Sequence, residues 1–277
     1  MNRKQVLISI LSLALTVTVL PSRAATPAPK AKLTLIKVAS KESDTPTRSV
    51  YIWTPAVDSI TASTLPVLYI LHGWSGSPSS MISATVATFQ KSFDGGAQPF
   101  IAVFPDGNAV THPDSEWADS SDKKAMIETW LIKSVIPAVE GGNIRSRANR
   151  GIMGYSMGGY GATIISLHHP DLFSKVISLA GYYYVDDVTG AFTSAAKRDY
   201  QSPANYLKIA PQLDWYISEG ANEQTKSIRG QAATWVRKLK TVNANYKLTT
   251  PNAGHDLAFV TSQVIPITKW LNWSNQQ

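Results

Sequence analysis

Cysteine is absent from the 277-residue chain. Its absence excludes a disulfide framework, Cys-ligated zinc, iron–sulfur clusters and a thiol nucleophile. Charge is sparse as well, with only 16% of residues Asp, Glu, Lys or Arg. Internal repeats and low-complexity stretches are missing from the body of the chain. Beyond one N-terminal stretch, no run is long and apolar enough to cross a bilayer. Against these absences, 44% of the residues are hydrophobic, ordinary for a globular protein and too many for a disordered one. The length accommodates one domain or two.

The formal net charge of +7 overstates the basic character of the body. Residues Met1–Ala24 hold Arg3, Lys4 and Arg23 and no acid; without them 23 basic residues face 19 acidic ones, a balance of +4. No Lys/Arg cluster is interleaved with aromatics, so nucleic acid is not an expected partner.

Residues 1–24 read as a secretory signal peptide. Arg3 and Lys4 form a positive start, Val6–Leu20 an uncharged apolar run, and Ser22-Arg23-Ala24 puts small residues where a signal peptidase reads. The run is short of the ~20 residues of a membrane span, although an uncleaved anchor would share its pattern. No cysteine follows it, which excludes lipoprotein attachment. Residues 25–31 form a short leader and residues 32–277 a single domain. The expected location is secreted or periplasmic, with no membrane span in the mature chain.

That domain alternates strand-like and helical patterns, as an α/β fold does. Leu33–Val38 and Ser49–Trp53 read as early strands. Pro66–Leu71 and Phe100–Phe104 are short continuous apolar runs, which suit strands buried on both faces of a parallel sheet. Ile152–Tyr155, Lys175–Leu179, Asp214–Ser218 and Tyr246–Thr249 follow at intervals that leave room for helices. Helical spacing marks Asp122–Val139, Gly158–Leu167, Thr225–Leu239 and Gln263–Trp270. Tyr182–Pro211 has little periodicity and reads as a lid or an irregular excursion.

Gly154-Tyr155-Ser156-Met157-Gly158 fits G-x-S-x-G, with a strand before it and a helix of small residues after it. This is the context of a nucleophile elbow. The sharp turn lifts the Ser156 hydroxyl above the strand end, and the helix N-terminus behind it favours developing negative charge. A Gly-rich turn that only packs a helix on a sheet would share the bare pattern. A serine needs a base to take its proton, and in this fold the chain order is Ser, acid, His. His255 stands in the loop after the last strand, where the base belongs. His168 and His169 end the elbow helix, where cationic side chains complement the dipole. The acid belongs in the loop after Asp214–Ser218, which offers Glu223 first and Glu219 next; Asp187, after the preceding strand, is a further alternative. Asp256 shapes the loop of the base. Two backbone N–H groups must face the developing oxyanion, from Met157 and from Trp74 of His72-Gly73-Trp74; the His72 side chain is structural.

These residues resemble the esterase family that includes esterase D (S-formylglutathione hydrolase), feruloyl and acetyl xylan esterases and bacterial mycolyltransferases. The resemblance covers most of Pro66 to Trp270. It rests on LYILHGWSG, on FPDGN at 104–108, on the block GIMGYSMGGYGATIISLHHPDLFSKVISLAG at 151–181, and on GHD at 254–256. It implies an α/β-hydrolase fold, a mostly parallel central sheet with helices on both faces and little or no cap domain. It matches Ser156, Glu223 and His255 to nucleophile, acid and base, although relatives often carry Asp where Glu223 stands. It also implies no metal and no organic cofactor.

The activity expected is a secreted serine esterase acting through an acyl-enzyme on a small-molecule or carbohydrate-linked ester. One alternative is an acyltransferase passing the acyl group to a sugar or lipid alcohol; another is a non-catalytic binding protein on the same fold. The export signal and the missing cysteines argue against the cytosolic glutathione-thioester branch. Trp117, Tyr160 and Tyr182 are expected to contact substrate in an aromatic cleft with Trp74, although any of them could simply pack.

Overall fold

A computed structural model describes residues 30–273 apart from 42, 58 and 186–189, with the side chains of 59 and 60 also left aside. The expected signal peptide, nearly all of the leader and Asp187 lie outside the described residues.

Eight strands form one sheet: β1 (Lys32–Ala39), β2 (Thr47–Thr54), β3 (Val67–Leu71), β4 (Ile101–Pro105), β5 (Arg150–Tyr155), β6 (Lys175–Leu179), β7 (Asp214–Ser218) and β8 (Asn245–Thr249). Their spatial order is β1-β2-β4-β3-β5-β6-β7-β8. The β1–β2 and β2–β4 pairs are antiparallel; every pairing from β4 through β3 to β8 is parallel. Strands β3 and β5 are buried at every position, as the continuous apolar runs require when helices cover both faces. All parallel strands point the same way, so the loops after β3, β5, β7 and β8 gather at one edge of the sheet. In such sheets ligands bind at the carboxyl ends of the strands.

The helices depart more from the sequence pattern. Helix α1 (Ser59–Thr64) is short, and α2 (Pro78–Asp94) is the longest in the molecule's described part. Its start signal is Ser77-Pro78: Ser77 is the N-cap and Pro78 stands in the first turn, where a missing N–H costs nothing. The pattern read over Asp122–Val139 becomes helical only at α3 (Ile127–Trp130), passes through a π-helical turn (Leu131–Val135) and ends as α4 (Ile136–Glu140). The five residues before it form a turn instead. The Asp122 carboxylate accepts the Ser120 hydroxyl at 2.6 Å and the Lys124 N–H at 3.0 Å, and Lys123 takes φ +61°. Asp side chains compete with helix in this way.

Helix α5 (Met157–His168) follows β5 directly and is buried along nearly its whole length. The aperiodic stretch from Tyr182 contains α6 (Ala195–Tyr200) and 3₁₀ turns over Pro203–Gln212. Helix α7 runs over Gln231–Thr241, six residues later than the spacing suggests, because Gly230 at its N-cap holds φ +82°. Helix α8 covers Leu257–Trp270 and starts earlier than expected: the Asp256 carboxylate accepts the Phe259 N–H at 2.7 Å and caps it, a local bond that offsets the orphan donors of a first turn.

Candidate active site

The turn between β5 and α5 places Ser156 at φ 58°, ψ −120°, a costly conformation for a residue with a Cβ. Glycines on either side make it possible. A Cβ on Gly154 would lie 1.8 Å from the Gly158 carbonyl oxygen, and one on Gly158 would lie 2.4 Å from that of Leu71. The Ser156 N–H donates to the Leu179 carbonyl at 2.9 Å, so β6 fixes the strained turn from the side.

Three side chains from three loops meet here. His255, between β8 and α8, has Nδ1 2.7 Å from Glu223 Oε2 and Nε2 3.1 Å from Ser156 Oγ. A carboxylate only accepts, so Nδ1 carries the imidazole proton and Nε2 is left to accept from the serine hydroxyl. Glu223 is 2% exposed, and its other oxygen accepts the Thr225 N–H at 2.8 Å. Gly220 lets the two loops touch, since a Cβ there would come 2.2 Å from the Ala253 carbonyl oxygen. The Tyr155 ring lies 4.9 Å from the imidazole, centroid to centroid. Burial pushes the Tyr155 phenol up, and the charges of Glu223 and Asp256 add to this, so it stays protonated beside the histidine.

The other carboxylates weighed as acid are placed differently. Glu219 accepts the Gly230 N–H at 2.5 Å and the Ala232 N–H at 2.9 Å, which caps the start of α7. His168 and His169 both bond to Glu128 Oε1, at 2.8 and 3.0 Å, in addition to ending α5.

The loop after β3 carries the expected second donor. His72 is fully buried and its Nε2 accepts the Gly107 N–H at 3.0 Å. The proton therefore sits on Nδ1, which donates to the Gly73 carbonyl at 2.9 Å. That carbonyl belongs to the same planar peptide as the Trp74 N–H, so the ring holds the orientation of that N–H. Met157 opens α5, where the first N–H groups have no partner within the helix.

An open cleft of ≈ 390 Å³ exposes Ser156 and His255 together with Met157, Trp74 and Ser75. Asp114, Tyr182, Thr225, Ser227 and Ile228 complete its lining. Trp74 is 59% exposed at the rim. Trp117 and Tyr160, expected in the cleft, lie behind it and are fully buried. The Trp117 indole fills the space left by Gly107 and Gly161 and donates to the His72 carbonyl at 2.9 Å. Tyr160 stacks on Tyr182, 5.1 Å between centroids, and donates to the Gln201 carbonyl at 2.6 Å. Both are supports of the wall rather than its surface. Asp114, Thr225, Ser227 and Ile228 carry no sequence signal for this role, and the last three fall in a segment whose spacing imitates a helix. Among the described residues, no group of three or more His, Asp or Glu side chains could hold a metal ion. No described helix is long and apolar enough to cross a membrane.

Comparison with known proteins places the chain in a family. A ferulic acid esterase superposes with a TM-score of 0.74 at 19% identity, over 87% of this chain and 97% of that one. A fluorophosphonate-binding serine hydrolase of Staphylococcus aureus gives 0.72 at 18% identity, over 87% and 98%. An S-formylglutathione hydrolase from Agrobacterium tumefaciens gives 0.71 at 14%, over 90% and 97%. These likenesses show the α/β-hydrolase fold. No curated protein sequence matches the chain. The model of the family described as "Putative esterase" matches residues 47–271, and the chain belongs to this family of carboxylic ester hydrolases.

Proposed function

We propose that the chain is a serine esterase working through an acyl-enzyme, with Ser156 as nucleophile, His255 as base and Glu223 as acid. The observation that carries this reading is the unbroken path from Glu223 through both ring nitrogens of His255 to the Ser156 hydroxyl. Ser156 Oγ bonds to the ester carbonyl carbon while His255 Nε2 takes the hydroxyl proton. The N–H groups of Met157 and Trp74 hold the negative oxygen that forms. Collapse breaks the bond to the alcohol, which leaves with the proton from His255. Water then attacks the acyl-enzyme, gives its proton to His255, and Ser156 departs with that proton as the free acid forms. Glu223 remains a carboxylate throughout and stabilises the imidazolium.

Hydrolysis of p-nitrophenyl acetate or butyrate with a burst is the expected behaviour, and Ser156→Ala should lose activity by roughly 10⁶-fold. Undiminished turnover in that variant contradicts the reading. Product analysis with added trehalose or glycerol separates hydrolysis from transfer; free acid alone at every acceptor concentration is the expected product. The positive start and apolar run of residues 1–24 support export to the periplasm or medium, which fractionation of producing cells tests.

A further inference from the structure

We propose that the cleft selects esters carrying a positive charge, and that Asp114 is its specificity-determining residue. The inference rests on the serine-esterase reading and adds a substrate class to it.

Asp114 and Ser156 line one cleft of ≈ 390 Å³. Asp114 is 6% exposed, a nearly buried residue in the lining of the cleft. None of the described residues lining the cleft is Lys or Arg, although the chain beyond residue 24 carries a net +4. A second carboxylate stands behind the aromatic wall: Glu116, 1% exposed, accepts the hydroxyl of Tyr182. Burial raises the Tyr182 phenol well above its usual value, and the charges of Glu116 and Asp114 raise it further. The wall is therefore a neutral ring with negative charge at its back and side.

The backbone that holds these carboxylates is strained. Glu116 and Trp117 take φ +54° and +56° in succession, a conformation that non-glycine residues adopt only when the surroundings impose it. The buried Trp117 indole, bonded to the His72 carbonyl, supplies that imposition and ties the strained loop to the loop of Trp74. Trp74, 59% exposed at the rim, offers a π-face, which attracts ammonium groups. A concave, partly desolvated site with carboxylates and an aromatic face concentrates cations and repels anions. An ester bearing a carboxylate or sulfonate next to its reacting carbonyl meets like charge, and no Lys or Arg among the described lining residues offsets it.

Three butyrate esters of similar size test this: butyrylcholine, its neutral carbon isostere 3,3-dimethylbutyl butyrate, and 3-(butyryloxy)propanesulfonate. The wild-type enzyme is expected to rank them cation, neutral, anion in kcat/KM, with the cation ahead of its isostere by about tenfold or more. In Asp114→Asn the ratio of cation to isostere within the same preparation should fall to about threefold or less. Should that variant fail to fold, competition in the wild type decides: tetramethylammonium should inhibit p-nitrophenyl butyrate hydrolysis at a lower concentration than neutral neopentyl alcohol. Equal kcat/KM for cation and isostere, equal inhibition by the two competitors, or a preference that survives in Asp114→Asn overturns the proposal. Failure to hydrolyse p-nitrophenyl butyrate, together with no labelling by a fluorophosphonate, removes the serine-esterase reading itself and this inference with it.

Discussion

His255 Nε2 lies 3.1 Å from Ser156 Oγ across 99 residues of chain. Nothing local produces this contact; the parallel sheet does, by bringing the ends of β5 and β8 to the same edge with β6 and β7 between them. Glu223, on the loop after β7, reaches the same histidine from the adjacent position.

Glu223→Gln separates the acid from its neighbours. The carboxamide has the same size and creates no cavity, so melting should change little. The rate should fall by roughly 10⁴, the scale seen when the acid of such a constellation loses its charge. Glu219→Gln should do the reverse: weakening the cap on α7 costs about 1 kcal/mol of stability and leaves most of the activity. Thermal melts and p-nitrophenyl butyrate kinetics on both variants check the pair.

How much of this was legible in the chain differs by element. The inner strands β3 and β4 stand out because short apolar runs buried on both faces have no polar interruption, as in Val67–Leu71, whereas the half-exposed β1 and β2 show mainly as mixed apolar and polar strand patterns. Ser156 and His255 are legible because the elbow's glycines and the loop after the last strand leave few alternatives. Aromatic residues are another matter: Trp117 and Tyr160 have the composition of a binding surface but face inward, and residue type does not reveal which way a side chain points. Ile228 keeps helical spacing with Ala232 and Trp235 yet precedes α7, because Gly230 in the left-handed region interrupts the helix there. Asp114 is invisible in sequence because its place depends on a strained loop rather than on any periodic element.

The glycines of the elbow should tolerate no side chain. A Cβ at Gly154 meets the Gly158 carbonyl at 1.8 Å, and at Gly158 the Leu71 carbonyl at 2.4 Å; both obstacles are backbone and neither can rotate away. Gly154→Ala and Gly158→Ala should yield insoluble protein or protein without esterase activity. A soluble, fully active Gly154→Ala would show that the turn is looser than described.

His72 should matter through the peptide it holds. In His72→Ala the Gly73 carbonyl loses its Nδ1 donor, while the Gly76 N–H still reaches it at 3.0 Å. A misaimed Trp74 N–H weakens binding of the oxyanion more than binding of the ester, so kcat should fall by about tenfold or more with little change in KM. His72→Asn, whose amide can donate from nearly the position of Nδ1, should lose less. Steady-state kinetics on the two variants, read against their melting temperatures, make the check.

Acid should loosen the end of α5. Burial pushes the Glu128 carboxyl up, but hydrogen bonds and charge from His168 and His169 outweigh it and hold the carboxyl below its usual value. A carboxyl depressed in the folded state contributes stability above its unfolded pKa of ~4.3. That contribution is lost as pH falls through the lower folded value. Melting temperatures between pH 7 and pH 2.5 should therefore drop below about pH 4.3, and Glu128→Gln should flatten this part of the profile while lowering stability at neutral pH.

The central claim is that Ser156 is the nucleophile, and covalent labelling tests it most directly. Incubation with a fluorophosphonate followed by intact-mass and peptide mass spectrometry should give a single adduct, carried by Ser156, and none in Ser156→Ala. An adduct on another residue, or an unlabelled protein that still hydrolyses p-nitrophenyl butyrate, would contradict the account.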